Sequence, residues 1–437
     1  MTNEVPQGGL AKFHRPRLAQ GVKLHRHMVE EMVSALRAIF VEKRHADRVI
    51  QLTLKKHRKW GARDRGFFAE SLYDMVRWWR WLWWLADLSE EEFDDAEAIT
   101  DDHLWLVWAA YQRWHGRNVL PLPGLKFMSQ QDVEDRSREQ VPIAVRASIP
   151  DWLEERCVSE LGDEWRSIRG ALNDAAPVFL RANCLKTDRD TLRTNLVHEG
   201  VETATVADAP DALRLEKRQN VFGTDAFKRG LFEVQDAGSQ RIVPFLKIEP
   251  GQRVVDACAG GGGKTLHAAS LMGNKGKIIA MDIHQWKLDE LRKRAKRAGV
   301  DVVETRLAEG AKSFKRFSGK MDRVLLDVPC SGLGVLRRNP DAKWKLSNEE
   351  IDRLIDVQKQ ILESASRMVN PGGYLVYATC SILPSENEKQ VQAFLETRSS
   401  EWKLEEEMHL HPQQDAGDGF YAARLLRVGS GADAAVE

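Results

Sequence analysis

The chain has 437 residues, 30% of them charged, and its formal net charge is zero. This length allows two or three domains, each with its own hydrophobic core. The balance of charge excludes a uniformly basic protein, but the charges are segregated, because residues 1–88 contain 17 Lys and Arg against 9 Asp and Glu. We therefore expect local basic surfaces rather than a basic fold.

The five cysteines are far apart and form no CxxC pair, and no histidine cluster accompanies them. The pattern indicates neither a zinc site nor a disulfide framework, and isolated thiols are typical of a reducing compartment. The N-terminus lacks the apolar core of a signal peptide, and no apolar run reaches membrane-spanning length. These features predict a cytoplasmic protein with no bound metal and no membrane contact.

Residues 22–125 show helical periodicity, with apolar residues three and four apart in Met28–Phe40. The basic stretch Lys55–Arg65 is a candidate phosphate-facing patch, although a solvated helix face explains it equally well. Five tryptophans follow within Trp78–Trp84. They could stack on bases, but we favour the core of a helical bundle, because so many adjacent rings cannot all face solvent.

Strands begin to alternate with helices in the second third of the chain. PVFLRANCLK predicts a strand with Arg181, Asn183 and Lys186 near its exposed end, and DALRLEKRQN and GLFEVQDAGSQ predict further strands. A small α+β module of this kind suits RNA contact, which makes these three residues candidate RNA ligands, and a purely structural lid is the alternative.

From about residue 240 the βα alternation is regular and predicts a doubly wound, mostly parallel, Rossmann-like sheet. We therefore expect an α/β fold preceded by an all-α domain. The predicted domains are a helical domain with its linker over 1–145, the α+β module over 146–240, the α/β domain over 241–428 and a disordered tail over 429–437.

The stretch RVVDACAGGGGKT predicts a buried strand, a four-glycine loop and a helix, and the next strand ends at Asp282. Such a corner brings backbone N–H groups and a helix N-terminus to a ligand, and the acidic residue can accept both hydroxyls of a ribose. A P-loop would need glycine where the chain has Cys258, and GxGxxG is only loosely matched. S-adenosylmethionine fits, with a ligand-free tight turn as the alternative.

Two cysteines follow predicted strands of this sheet, Cys330 in DVPC and Cys380 in ATCS, whereas Cys258 lies within the glycine loop and is expected to pack there. Carboxyl ends of parallel strands line the ligand crevice. Thiolate addition to carbon-6 of cytosine makes carbon-5 nucleophilic enough to accept a methyl group, and a second group can assist release. Asp327 and Lys264 could position the base or support ionisation of the thiol. The residues alone do not rank the two cysteines.

The motifs DACAGGGGKT, LLDVPCSGLG, RRNPDAKW, ATCSILPSENE and DGFYAARL resemble, in this order, those of the Sun/Fmu family of RNA cytosine-5 methyltransferases. RANCLK and VQDAGSQ are similar to the family's lead-in, so the resemblance spans Val178 to Arg427. ADRVIQLTLKKHR and RDRGFFAESLYDMVR resemble the NusB-like N-terminal domain of its RsmB-type members.

The resemblance implies roles for individual residues. Cys380 would be the nucleophile and Cys330 would assist release, with Asp327 and Lys264 positioning cytosine. The implied S-adenosylmethionine contacts come from the glycine loop and from two acidic residues that follow later strands: Asp256, Cys258, Ala259, Gly260, Gly261, Gly262, Gly263, Lys264, Asp282 and Asp327. Glu309 is the nearest candidate for a further contact with the adenosine. The family's usual proline in this loop is Gly261 here, and Glu309 stands where an aspartate is expected after the third strand.

The segment RRNPDAKWK just after Cys330 is basic, and we expect Arg337, Arg338 and Lys343 to contact RNA phosphates. The sequence thus predicts a monomeric, S-adenosylmethionine-dependent RNA 5-methylcytosine methyltransferase acting on ribosomal RNA. The alternatives are a tRNA 5-methylcytosine methyltransferase and an inactive RNA-binding assembly factor.

Overall fold

The computed structural model describes residues 25–122, 124–310, 312–414 and 417–429. Packing divides the chain into two compact units: the first comprises residues up to 175 together with 336–348, and the second comprises 176–335 and the residues from 349 onwards. Apart from Gly429, the predicted disordered tail lies outside the described residues. No helix in the described ranges is long and apolar enough to cross a membrane.

The first unit is built from helices. They are α1 (Arg26–Phe40), α2 (Ala46–Lys56), α3 (Ala62–Arg77), α4 (Trp79–Leu85), α5 (Asp101–Trp114), α6 (Gln130–Arg136), α7 (Ile143–Arg146), α8 (Asp151–Leu161) and α9 (Trp165–Leu172), with 3-10 turns at Gly162–Glu164 and Ala342–Trp344. The predicted α+β module began at residue 146, whereas α8 and α9 pack with this helical unit.

The tryptophan-rich stretch forms the core of the helical unit, as the sequence predicted. Trp79 and Trp83 are fully buried and Trp78 and Trp81 nearly so, while Trp84 is half-buried under the guanidinium of Arg136, 4.4 Å from the ring centroid. Large apolar rings stabilise a helical core because each removes a large area from water.

The segment 336–348 belongs to this helical unit although it follows Cys330 in sequence. The indole nitrogen of Trp344 donates to the Val76 carbonyl at 2.7 Å, and the Lys343 ammonium donates to the Arg77 carbonyl at 2.9 Å. These carbonyls end α3, where the last turn has no helical N–H partners. The segment therefore caps a helix of the first unit.

The second unit contains a small and a large sheet with their helices. Its elements are β1 (Phe179–Ala182), α10 (Arg189–His198), β2 (Thr203–Thr205), β3 (Ala212–Leu215), α11 (Asp225–Lys228), β4 (Phe232–Val234), α12 (Ala237–Phe245), β5 (Arg253–Asp256), α13 (Gly263–Leu271), β6 (Lys277–Asp282), α14 (Gln285–Ala298), β7 (Val303–Leu307), α15 (Lys312–Lys315), β8 (Met321–Asp327), α16 (Asn348–Ala365), β9 (Val369–Thr379), α17 (Glu388–Arg398), β10 (Trp402–Leu410) and β11 (Phe420–Arg427). Further 3-10 turns cover Leu333–Val335 and Ser366–Met368.

The large sheet has the strand order β10-β11-β9-β8-β5-β6-β7, with β5 to β9 parallel and β10 and β11 antiparallel. The small sheet is antiparallel in the order β2-β3-β1-β4. The predicted Rossmann-like α/β fold is confirmed. One local prediction is wrong: AGSQ begins α12 rather than extending a strand, because Asp236 accepts a hydrogen bond from the Gly238 N–H and starts the helix.

Candidate active site

Four neighbouring strands, β9, β8, β5 and β6, end at one edge of the large sheet. The glycine loop follows β5, Asp282 ends β6, Asp327 ends β8 and Cys380 follows β9. Parallel strands bring their carboxyl ends to the same edge, so residues over a hundred positions apart in sequence share one crevice.

The glycine loop uses backbone conformations that side chains disfavour. Gly260 and Gly262 have φ of 54° and 85°, in the left-handed region. A Cβ at Gly262 would lie 2.5 Å from Cγ of Leu291 on α14, so this position also lacks space for a side chain. The loop therefore brings its backbone close to α14 and begins α13 at Gly263.

Asp282 holds the loop and the following turn. Its Oδ2 accepts the Gly260 N–H at 2.9 Å and its Oδ1 accepts the His284 N–H at 2.8 Å. Each carboxylate oxygen can accept a second hydrogen bond. The Asp282 side chain is thus oriented by the backbone and still has acceptor capacity for a ligand.

Asp256 is buried beneath the loop. Its Oδ2 accepts the Thr265 hydroxyl at 2.7 Å, while its Oδ1 has no hydrogen-bond partner among the described residues. Burial raises the pKa of this carboxyl to about 7, against the opposing effect of the Thr265 hydrogen bond.

Lys264 and Asp327 form an ion pair inside the crevice, with Nζ 2.6 Å from Oδ2. Burial by itself would lower the pKa of Lys264, but attraction to Asp327 outweighs it and the pKa lies above its ordinary value. The ammonium therefore keeps its proton beside the carboxylate.

The Sγ atoms of Cys330 and Cys380 are 3.4 Å apart and within hydrogen-bonding distance. The pKa of Cys330 is raised, first by its hydrogen bond to Cys380 and then by burial. Burial likewise raises the pKa of Cys258, in the loop. Of the thiols in the crevice, two touch each other, and the structure favours the protonated form of Cys330.

Glu386 lies fully buried beneath both cysteine turns, a feature that the sequence analysis missed. One carboxylate oxygen accepts the Ser331 N–H at 2.8 Å and the Gln358 amide at 2.9 Å, and the other accepts the hydroxyls of Ser331 and Ser381. Each serine follows a cysteine directly, so one carboxylate fixes both turns. The sequence signal was the first of the two glutamates in the motif ATCSILPSENE.

The candidate RNA ligands of the small sheet are largely internal. Arg181 is buried and donates from Nη1 to the Gly263 carbonyl at 2.8 Å and to the side-chain oxygen of Gln235. Asn183 is buried and donates to the carbonyls of Gly230 and Ala298, each at 2.8 Å. Lys186 is exposed, although its Nζ donates to two backbone carbonyls. Burial and these internal hydrogen bonds disfavour direct contact of Arg181 and Asn183 with RNA, and that contact stays a prediction.

The basic residues after Cys330 lie in the first unit. Lys343 is buried, and burial lowers its pKa well below the ordinary value. Arg337 is also buried, whereas Arg338 is half-buried. Burial disfavours the predicted phosphate contacts of Lys343 and Arg337 in the same way, and those contacts stay predictions.

Two further features bear on cofactor and metal binding. Glu309 is exposed just past β7 at the same sheet edge, where its contact with a nucleoside stays a prediction. In the described part of the chain, one group of side chains offers ligand atoms close together, namely His27, Glu31 and His57. The Lys56 ammonium lies 2.7 Å from the Glu31 carboxylate and already neutralises it, so an ion pair accounts for this group.

The parallel sheet and its glycine crevice define a Rossmann-like methyltransferase fold. The chain matches the family model for 16S rRNA methyltransferase RsmB/F over residues 243–426 and the model for the RsmF/B-like methyltransferase ferredoxin-like domain over 149–222. Ribosomal RNA small subunit methyltransferase B of Klebsiella pneumoniae (strain 342) is 36% identical over 328 residues, which cover 71% of this chain and 75% of that protein. The chain belongs to the RsmB/F family of 16S rRNA methyltransferases.

Other relatives agree with this assignment. Ribosomal RNA small subunit methyltransferase B of Pasteurella multocida is 37% identical, over 64% of this chain and 65% of the relative, so the match spans just under two thirds of that protein. The solved structure of PH0851 has a TM-score of 0.77 at 25% identity and covers 93% of this chain and 100% of its own. A methyltransferase homologue from Pyrococcus horikoshii has a TM-score of 0.59 at 26% identity and covers 65% and 97%.

Proposed function

We propose that the chain transfers a methyl group from S-adenosylmethionine to carbon-5 of a cytosine in the RNA of the small ribosomal subunit. The observation that carries the proposal is the pair of thiols, Cys330 and Cys380, 3.4 Å apart at the sheet edge that also holds the glycine loop and the Lys264–Asp327 pair. The names of the relatives support ribosomal RNA rather than tRNA.

The residues at the end of β6 suit the cofactor. Asp282 has acceptor capacity left for ribose hydroxyls, and the glycines at 260 and 262 let the backbone approach a ligand closely. Ile283, next along the chain, exposes 68% of its surface and offers an apolar face to a purine ring. Bound S-adenosylmethionine would supply an electrophilic methyl group.

The cysteine pair supports a covalent mechanism. The thiolate of Cys380 adds to carbon-6 of cytosine, and the electron pair of the double bond makes carbon-5 nucleophilic. After methylation carbon-5 loses its proton, the carbon–sulfur bond breaks and the thiolate leaves. With Cys380 as nucleophile, the raised pKa keeps the Cys330 thiol protonated, so Cys330 can give its proton to the departing Cys380 sulfur and, as the resulting thiolate, take up the proton that carbon-5 loses.

The Lys264–Asp327 pair supports recognition of the base. The Lys264 ammonium can donate to the cytosine carbonyl, and Asp327 can hold the protonated ring nitrogen as charge shifts into the ring. Carbon-6 is reached only when the base is unstacked, so the substrate is an unpaired or extruded cytosine.

The test incubates the purified chain with labelled S-adenosylmethionine and unmodified small-subunit ribosomal RNA, with tRNA in parallel. We expect label in 5-methylcytosine of ribosomal RNA, no label with Cys380→Ala, and a denaturation-resistant protein–RNA adduct with Cys330→Ala. Cys184→Ala is the control, because this thiol is exposed and donates to Asp211 rather than to either cysteine of the pair. Label in tRNA alone would move the substrate, and an adduct trapped by Cys380→Ala instead would reverse the two roles.

A further inference from the structure

Two arginines outside the glycine loop donate hydrogen bonds to its carbonyls. Arg294, on α14, donates from Nη1 to the Gly261 carbonyl at 2.7 Å. Arg181, on β1 of the small sheet, donates from Nη1 to the Gly263 carbonyl at 2.8 Å. These two bonds hold the second and fourth glycines of the loop, and one donor precedes the loop in sequence whereas the other follows it.

Both arginines are anchored by side chains on or next to β4. Glu233 is buried and accepts from Arg294 through Nη2 at 2.9 Å and Nε at 3.2 Å, and its other oxygen accepts from Arg297. Gln235, two residues further, accepts from Arg181 through its side-chain oxygen. Residues two apart in an extended strand point the same way, so the small sheet presents one carboxylate and one amide to the arginines.

A loop of four consecutive glycines needs such support more than other loops do. Glycine loses more backbone freedom on ordering than any other residue. Gly260 and Gly262 have backbone angles in the left-handed region, whereas Gly261 between them does not. A Cβ at Gly261 would lie 3.2 Å from Nη1 of Arg294. The guanidinium thus occupies the space beside the loop that a side chain at position 261 would fill.

We propose that Glu233, Arg294 and Arg181 are positioning residues for the cofactor, through which the small sheet holds the four-glycine loop in its binding conformation before S-adenosylmethionine arrives. The inference rests on the proposed function for the identity of the ligand. It gives Arg181 a positioning role inside the protein, which differs from the RNA contact that the sequence predicted.

The first test measures the dissociation constant of S-adenosylmethionine by calorimetry, with the full chain and Arg294→Met. Loss of a charged hydrogen bond to the loop should raise the constant about tenfold or more. Arg292→Met is the matched control, because Arg292 is on the same helix but pairs with Asp289 and Thr305 and does not contact the loop. Glu233→Gln, which keeps the shape of the side chain, should act in the same direction as Arg294→Met.

The second test distinguishes positioning from a general structural role. In the cofactor-free protein, amide hydrogen exchange of residues 260–265 should accelerate in Arg294→Met, while kcat at saturating cofactor is retained. Adding Gly261→Pro to Arg294→Met should recover about two- to fivefold in affinity, because proline restricts the unbound loop.

The outcomes separate the two proposals. If the wild-type chain does not bind S-adenosylmethionine, the proposed function fails. If it binds and Arg294→Met matches Arg292→Met, the positioning inference is wrong. The positioning inference is also wrong if the loss of affinity in Arg294→Met is explained by a lower melting temperature of the whole protein and Gly261→Pro recovers no affinity.

Discussion

Side chains at the candidate site contact groups that are distant from them in sequence. Cys330 and Cys380 are fifty positions apart, yet their Sγ atoms are in contact. The contact depends on Glu386, because its carboxylate binds the serine after each cysteine. A buried carboxylate with several donors orients its surroundings strongly, since leaving any of those donors unpaired is costly.

Glu386→Ala should therefore lower kcat for methyl transfer by about 10- to 100-fold, the size expected when reacting groups shift by roughly 1 Å. Affinity for S-adenosylmethionine should not change, because Glu386 does not contact the glycine loop. Glu386→Gln should lose less, since serine hydroxyls can reverse and accept from an amide. Glu388→Gln, whose wild-type carboxylate pairs with His409, is the control. Equal kcat for Glu386→Ala and wild type would contradict the assignment.

At the scale of elements, the close approach between the glycine loop and α14 depends on one missing side chain. Gly262 combines a φ of 85° with a would-be Cβ 2.5 Å from Leu291. Gly273, at φ 57°, has open space around it. The two positions separate backbone strain from steric overlap.

Gly273→Ala should lower the free energy of unfolding by about 1–2 kcal/mol, the cost of a left-handed non-glycine residue. Gly262→Ala should cost about 1–3 kcal/mol more, because a methyl group overpacks the contact with Leu291. Urea denaturation at constant pH measures both. Equal losses for the two variants would show that α14 moves aside freely.

A second element-scale feature is the segment 336–348, which completes the helical unit. Trp344 packs beside Phe40 and Phe93, with ring centroids 6.4 and 6.1 Å away, and donates to a carbonyl at the end of α3. Twelve of the fourteen tryptophans lie in this unit, so tryptophan fluorescence follows its unfolding.

Trp344→Ala should lower the free energy of unfolding seen by fluorescence by about 3 kcal/mol, from the cavity and the lost hydrogen bond. Trp286→Ala is the control, because Trp286 is 68% exposed and its removal should change that free energy by less than about 0.5 kcal/mol. A loss for Trp286→Ala as large as that for Trp344→Ala would contradict the capping role of the segment.

At the scale of the whole molecule, two buried groups of the second unit give opposite pH dependences. The pKa of Asp256 is raised to about 7 by burial, and that of His267 is lowered to about 4, also by burial. A raised carboxyl pKa means that stability is lost as pH rises from about 4 to 7. A lowered imidazole pKa means that stability is lost as pH falls from about 6.5 to 4.

Asp256→Asn should remove the first dependence, so wild type should become steadily less stable relative to this variant between about pH 4 and 7. His267→Gln should remove the second, and wild type should lose stability relative to it as pH falls from about 6.5 to 4. The free energy of unfolding across this pH range measures both differences. A flat difference curve for either variant would show that the group does not titrate in that window.

The sheet, the crevice and the tryptophan core of this protein could be predicted from local sequence patterns. Alternation of strands and helices predicts the parallel sheet, because each strand and each amphipathic helix carries its own periodicity. The crevice follows from the sheet, since the glycine loop, Asp282, Asp327 and Cys380 all lie at or just past the ends of its strands. The tryptophans of α4 were predicted to form a helical core because so many adjacent rings cannot all face solvent, and Trp79, Trp81 and Trp83 are buried there.

The contacts of the charged residues at these sites could be known only from the tertiary structure. Arg181 and Lys343 are basic and were predicted to bind RNA. In the structure Arg181 donates to a carbonyl of the glycine loop, and Lys343 donates to a carbonyl at the end of α3. The sequence alone assigned no role to Glu386, whereas the fold places its carboxylate beneath the turns of two cysteines. Periodicity records which face of an element is apolar, whereas the partner of a buried charge comes from a distant part of the chain, so no local pattern specifies it.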